Sequence, residues 1–423
     1  MLKRLIFLLP LIFIVACSSS DDSPQEMQEE MEEEEMQETY SFGINVSSDY
    51  LSDTETGKVY ISNIAGVIVF EADFVNGENY DFSFEAAPGQ TFDFTLYRRF
   101  EVSGANLYRV TTFEDFIFSS YELDRKDVPP SLEDVSLEYF NFGQPDPTEQ
   151  NLFYTLTSGS YSSDNGGTLT TSSEQIRNGG SYYMAARNDS DAFPRYFWQE
   201  SVTAPINVSA DFSTLPFADD VMNISFPAND DTRSIVMGHK NYNSNSIENV
   251  IRDEISSSKI DEMNIFLKDG LFDFYEVLCS YSMGNRSYHY NELSEGLDFN
   301  ISNPDFDFSI QNNTIGDFSA STSGNYDNFN ARYEATDDTS FNVIYNVVGA
   351  SGQNISFSKD ELFDAIFSNI LLISANGLEP KSFGLGNSSS VNSFQDVIQG
   401  FLNVSVNTDT LGHTEQSVGE IFQ

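Results

Sequence analysis

Tyr80-Asp-Phe-Ser-Phe-Glu85 and, beyond a break at Pro88-Gly89, Phe92-Asp-Phe-Thr-Leu96 are the two stretches whose reading decides the fold. Tyr80, Phe82 and Phe84 alternate with Asp81, Ser83 and Glu85; Phe92, Phe94 and Leu96 alternate with Asp93 and Thr95. A period of two is the mark of a strand with one apolar and one polar face. The spacing predicts a core rich in Phe and Tyr on one parity. The alternating Asp and Glu are expected on a wet face.

Outward from this pair the pattern repeats. Lys58-Val-Tyr-Ile-Ser and Val67-Ile-Val-Phe-Glu flank Ala65-Gly66, and Asn76-Gly77 is a tight-turn signal. Short strands at 8–12-residue spacing with turns between them predict a β-sandwich over residues 41–126. Asp124 to Pro130 forms a polar, proline-punctuated link. Residues 131–230 again read as strands, at Leu152-Phe-Tyr-Thr-Leu, Gly180 to Ala185, Arg195-Tyr-Phe-Trp198 and Ile206 to Phe212, with turns at Asp164-Asn-Gly-Gly167 and Asn178-Gly-Gly180. They predict a second sandwich. After Pro227-Ala-Asn-Asp-Asp, residues 232–423 predict a β-rich C-terminal domain, a curved sheet or partial barrel with a few short helices. The helices are expected after Ser246, after the capping box Ser358-Lys-Asp-Glu361, and after Ser393. The fold class is therefore mainly β.

The chain opens with Lys3 and Arg4, an apolar run from Leu5 to Val15, and then Ala16-Cys17. About eleven apolar residues are too few to span a bilayer, which needs roughly 20, and they read as a signal peptide over 1–16. Ile14-Val15-Ala16-Cys17 resembles a bacterial lipobox. The resemblance implies that Cys17 is the lipidated, palmitate-bearing first residue of the mature chain. Acylation with more than one chain gives stable membrane anchoring. Ser18-Ser-Ser-Asp21-Asp22 resembles the surface-export signal of Bacteroidota-type lipoproteins, with its acids slightly later than usual; periplasm-facing placement is the alternative. Residues 25–38 hold eight Glu and no base. Like charges at i,i+4 oppose a helix, so 17–40 is expected to be an acidic, disordered tether. Gly57 to Leu96 resembles, by pattern, the Ig-like and carboxypeptidase-regulatory-like modules of secreted bacterial proteins. Tandem Ig-like sandwiches are what this resemblance implies, and Gly316 to Val348 resembles the C-terminal portions of uncharacterised multi-domain lipoproteins from the same bacterial group.

The chain carries 66 Asp and Glu against 20 Lys and Arg, a net charge of −46. Ten of those acids lie between residues 21 and 38. Without them and the two signal-peptide bases, 56 acids face 18 bases. This balance excludes nucleic-acid binding through counterion release. Two cysteines, Cys17 and Cys279, exclude a disulfide framework.

No catalytic signature stands out. The three histidines, His239, His289 and His413, form no HExxH spacing. His413-Thr-Glu415 starts a zinc-deaminase pattern, but no cysteine follows it. Cys279 sits in an apolar strand and reads as a buried thiol. Acidic turns at Asp164-Asn165, Asp219-Asp220, Asn229-Asp-Asp231 and Asp337-Asp338 offer hard oxygen ligands for a structural Ca²⁺. Trp198, the sole tryptophan, is the candidate centre of a sugar-stacking platform. The expectation is a non-enzymatic binding or display lipoprotein of the outer membrane, anchored through Cys17, probing an unknown extracellular ligand or protein. A glycan-binding accessory of nutrient uptake is the alternative. A hydrolase is the third reading, and it requires a concave site with two perturbed carboxylates, or His239 or His289 facing a Ser and an Asp.

Overall fold

A computed structural model describes residues 37–422, apart from 103, 125–131, 144–152, 155–159, 164–166, 178–181, 189, 201–205, 241–248, 257–258, 269, 338–340, 368–369, 371–372 and 403–413. The chain is mainly β, with several sheets and two short α-helices among the described residues. The first seven strands are β1 (Glu38–Val46), β2 (Thr56–Asn63), β3 (Ile68–Phe74), β4 (Asn79–Ala86), β5 (Phe92–Val102), β6 (Ala105–Phe113) and β7 (Ser120–Leu123). The helices are α1 (Asp360–Phe367) and α2 (Phe394–Leu402).

β1 begins inside the stretch expected to be tether, because Glu38, Thr39 and Tyr40 pair with Ala86, Glu85 and Phe84 of β4. β4, β1 and β7 make one small sheet. The other four early strands do not form a sheet of their own. They are one end of a twelve-stranded sheet whose remaining strands come from beyond residue 230. The join is the parallel pairing of β6 with Phe341–Ala350, from Asn106 opposite Phe341 to Phe113 opposite Val348. Segments expected as separate units, 41–126 and 232–423, thus share one hydrogen-bonded sheet. Period-two patterning sets which face a strand buries, but not which strand lies beside it.

Parity decides the layers. Val59 and Ile61 of β2, Phe92, Phe94 and Leu96 of β5, and Phe113 of β6 face the small sheet. There they meet Phe42, Ile44 and Phe84, and α2 closes the end with Val397, Ile398 and Leu402. Phe94 stacks on Phe116 at 4.8 Å, and Phe42 meets Phe116 edge-on at 5.7 Å. Residues of the opposite parity face a second core on the other side. That face is covered in turn by a sheet containing Asp220–Ser225, a sheet containing Asp317–Ser323, and α1. Phe367 of α1 meets Tyr97 and Tyr108, and Phe363 meets Tyr345. β2, β5 and β6 are therefore buried on both faces.

Three local expectations can be compared directly. Ser393 caps α2, as Val397 N–H donates to Ser393 O at 3.3 Å and Asp396 N–H to Ser393 Oγ at 3.3 Å. α1 starts one residue later than its capping box implied. Phe363 N–H donates to Lys359 O, so Lys359 rather than Ser358 occupies the cap position. The helix expected after Ser246 is instead the strand Asn249–Ser256, paired antiparallel with Asp231–His239 at one end of the large sheet. Sheet pairing there overrides an apolar spacing that also suited a helix.

Phe94 has no exposed surface, so Phe94→Ala is expected to lower stability by about 3–5 kcal/mol in urea denaturation. Because the early and late strands share one sheet, they should unfold together. Far-ultraviolet circular dichroism and Trp198 fluorescence should report one coincident transition.

Candidate functional site

Three polar residues of β5 and β6, Asp93, Thr95 and Thr112, turn out to be buried. Asp93 and Thr95 share the parity of Tyr97, and Thr112 that of Val110, so all lie under the second core. Only 2% of Asp93 is exposed. This corrects the wet-face reading of Asp93, which holds for Asp81, Ser83 and Glu85 on β4. The physical reason is the partner cation. Lys359, 266 residues away, sends its ammonium to Asp93 Oδ2 at 2.8 Å and to Glu114 Oε1 at 2.7 Å. One layer deeper, Thr112 Oγ1 bonds both Thr95 Oγ1 at 2.9 Å and the Tyr345 hydroxyl at 2.8 Å.

The backbone is built to aim these groups. Glu114 N–H donates to Val348 O, and Phe116 N–H to Phe92 O. Between them Asp115 takes φ of 48°, and its N–H reaches Asp93 Oδ1 at 3.3 Å. Gly349 leaves room for the arrangement: a Cβ there would fall 2.2 Å from the Phe329 ring and 3.2 Å from Glu114 Oε2. Gly66, at φ of 79°, lets the turn between β2 and β3 lie against α1, where a Cβ would sit 2.8 Å from Leu362 N.

Above the cluster opens a cavity of about 470 Å³. Its polar lining includes Asp93, Glu114, Asp115, Asp317 and Lys359, and Phe318 and Phe357 supply apolar wall. Four carboxylates against one cation suit a hydrogen-bond donor or a cationic group. Burial pushes the Glu114 carboxyl up to about 7, more than Lys359 pulls it down. Burial likewise raises Asp93 against the pull of Lys359. Burial alone would lower the Lys359 ammonium, but Glu114 and Asp93 outweigh it and hold the group above its usual range.

The residues singled out from sequence do not converge on this cavity. Cys17 and His413 lie outside the described residues. His239 is fully buried, with Nε2 3.2 Å from Glu276 Oε2. His289 stands on the face of the large sheet opposite the second core, bonded through Nδ1 to Ser280 Oγ at 2.8 Å, and desolvation holds its pKa below the usual value. Cys279 is buried, and its thiol is pushed up to about 12 by desolvation. Trp198 is half-buried and not part of a coplanar row. Phe272 meets it edge-on at 5.3 Å and 89°, and Lys240 lies 6.0 Å from its ring centre. The acidic turns are engaged within the fold. Asp219 pairs with Lys268, and Asp230 Oδ2 accepts from Gly284 N–H at 2.8 Å. Asp164-Asn165 and Asp338 lie outside the described residues. Among the described residues no group of three or more His, Cys, Asp or Glu side chains converges to hold a metal ion.

No protein-family model matches the chain. No curated protein resembles it significantly either. Among solved structures, the FN1–FN3 domains of chicken CNTN1 align at 10% identity over 82% of this chain and 92% of that one, with a TM-score of 0.12. That score is too low to carry fold or function.

Glu114 takes up a proton on folding, since its folded pKa of about 7 exceeds the ordinary 4.5. Its contribution to stability is therefore present at low pH and is lost as pH rises from about 4.5 to about 7, by up to roughly 3 kcal/mol. Urea denaturation at pH 5 and pH 8 should show a shallower pH slope for Glu114→Gln than for the wild type. Lys359→Met strands two buried carboxylates and should lower stability by about 3–5 kcal/mol at pH 8, and by less at pH 5.

Proposed function

We propose that the protein is a lipid-anchored outer-membrane lipoprotein, displayed on the cell surface, that binds a partner or ligand without catalysing a reaction. The observation that carries this reading is Ile14-Val15-Ala16-Cys17, set at the end of a short apolar run and followed by an acidic stretch. β1 begins at Glu38. The roughly 20 residues between Cys17 and that strand reach at most about 70 Å, enough to hold the β domains clear of a lipid surface. Their seven Glu repel anionic lipid.

The posture of the reactive groups supports a non-enzymatic role. A thiol pushed up to about 12 is protonated at neutral pH and is a poor nucleophile. His239 is sealed against Glu276. A hydrolase reading has one observation in its favour: Glu114, with its pKa near 7, lines a cavity beside Asp93. Against it, the Lys359 ammonium occupies the space between the two carboxylates. A scissile bond flanked by both would have to sit there.

Cys17→Ser is the direct test. The wild-type chain should incorporate labelled palmitate and partition with membranes, and the variant should lose the label and become soluble. Unchanged membrane association of the variant would overturn the anchor. Protease added to intact cells should cleave the wild-type protein if it faces outward.

A further inference from the structure

β3 ends the twelve-stranded sheet, and among the described residues no strand pairs with its outer edge. Such an edge presents a row of unpaired N–H and C=O groups, a template for another strand. The side chains around it are unusual for so acidic a chain. Of the twelve large apolar side chains exposed among the described residues, Ile64, Val67, Val69 and Val75 fall within this one short segment. Phe70 and Ala72, on the face toward the small sheet, are only half-buried. Phe70 meets Phe82 of β4 at 5.2 Å. β4 is itself the end strand of its sheet, so the sandwich opens along a seam between two edges.

On the other face of β3, Glu71 and Asp73 are 59% and 82% exposed and share one cation. Lys58 lies 4.0 Å from Glu71 and 3.6 Å from Asp73. One negative charge is left over beside the free edge. This pattern disfavours a second copy of the chain. Two-fold antiparallel pairing centred on Glu71 sets Glu71 against Glu71, and pairing centred on Ala72 sets Glu71 against Asp73. Like charges directly opposite each other destabilise a strand pair, and a net charge of −46 on each copy adds repulsion.

We propose that β3 is a docking edge for an extended basic segment of another protein, added to the large sheet as a further strand. Main-chain hydrogen bonds along β3 supply affinity, and alternate side chains supply specificity. One parity of the incoming strand places apolar residues over the Phe70–Ala72 seam. The other places an aliphatic residue opposite Val69 and Lys or Arg opposite Glu71 and Asp73. The inference rests on the binding-and-display reading and names the kind of partner bound.

The test uses the full chain in non-ionic detergent and a nine-residue peptide of alternating valine and lysine. A control peptide of the same sequence has alternate backbone nitrogens methylated, which keeps its charge and blocks strand pairing. The plain peptide should slow hydrogen exchange of the outward-facing amides among residues 68–74 at least tenfold, and the methylated one should not. A Glu71→Gln, Asp73→Asn double variant, altered only at exposed positions and without a new like-charge pair at Lys58, should melt close to the wild type and bind the peptide at least tenfold more weakly at 150 mM salt. The proposal is overturned by absence of protection at β3, equal binding of the methylated peptide, or undiminished binding by the double variant. It is also overturned by a concentration-dependent dimer that protects β3 without peptide. None of these results bears on Cys17→Ser partitioning, so failure here leaves the anchor reading standing.

Discussion

The ammonium of Lys359, held between Asp93 and Glu114, is the constraint around which the rest of the structure is arranged. Two carboxylates and an amine are removed from water together, and none of the three can be left there alone without a loss of several kcal/mol. β5 and the residue that follows β6 supply the acids, while the residue that precedes α1 supplies the base. The early strands and the late helix must therefore dock in one geometry. Position 359 has two roles, since its carbonyl accepts the first helical bond from Phe363 while its side chain reaches into the sheet.

From that cluster the layers follow down the sheet face: the ion cluster, then the hydroxyl chain Thr95–Thr112–Tyr345, then the rings of Tyr97, Tyr108 and Phe367. The same strands present Phe92, Phe94 and Phe113 to the opposite core. This double burial explains how β5 and β6 can carry Asp93, Thr95 and Thr112 at strict alternation without presenting them to water. It also accounts for the cavity, which lies where the ionic layer meets solvent between the early strands and the segments 316–318 and 356–359.

Much of the fold was legible in local pattern. The alternation in β4 and β5, the turns at Gly66 and Gly77, and the capping of α2 by Ser393 all follow from residue chemistry over a few positions. What lay out of reach was long-range pairing. Asp93 reads as a surface acid until Lys359 is placed beside it, and no spacing rule links positions 266 residues apart. The strand Asn249–Ser256 was obscured for a related reason, because its apolar spacing suits a helix and only its neighbour in the sheet decides otherwise. The one signal for the site was the presence of a base in front of α1 in a chain so poor in bases. Trp198 shows the converse limit, since a lone indole in sequence carries no information about the Phe272 edge and the Lys240 ammonium that surround it.

Lys359 and Asp93 act as one unit that joins the early strands to the segment before α1. A double-mutant cycle with Asp93→Asn, Lys359→Met and the combined variant, read by urea denaturation at pH 8, measures that coupling directly. Each single change should be strongly destabilising, and the double change should lose at least about 2 kcal/mol less than the sum of the singles. Losses that add to within about 0.5 kcal/mol would contradict it.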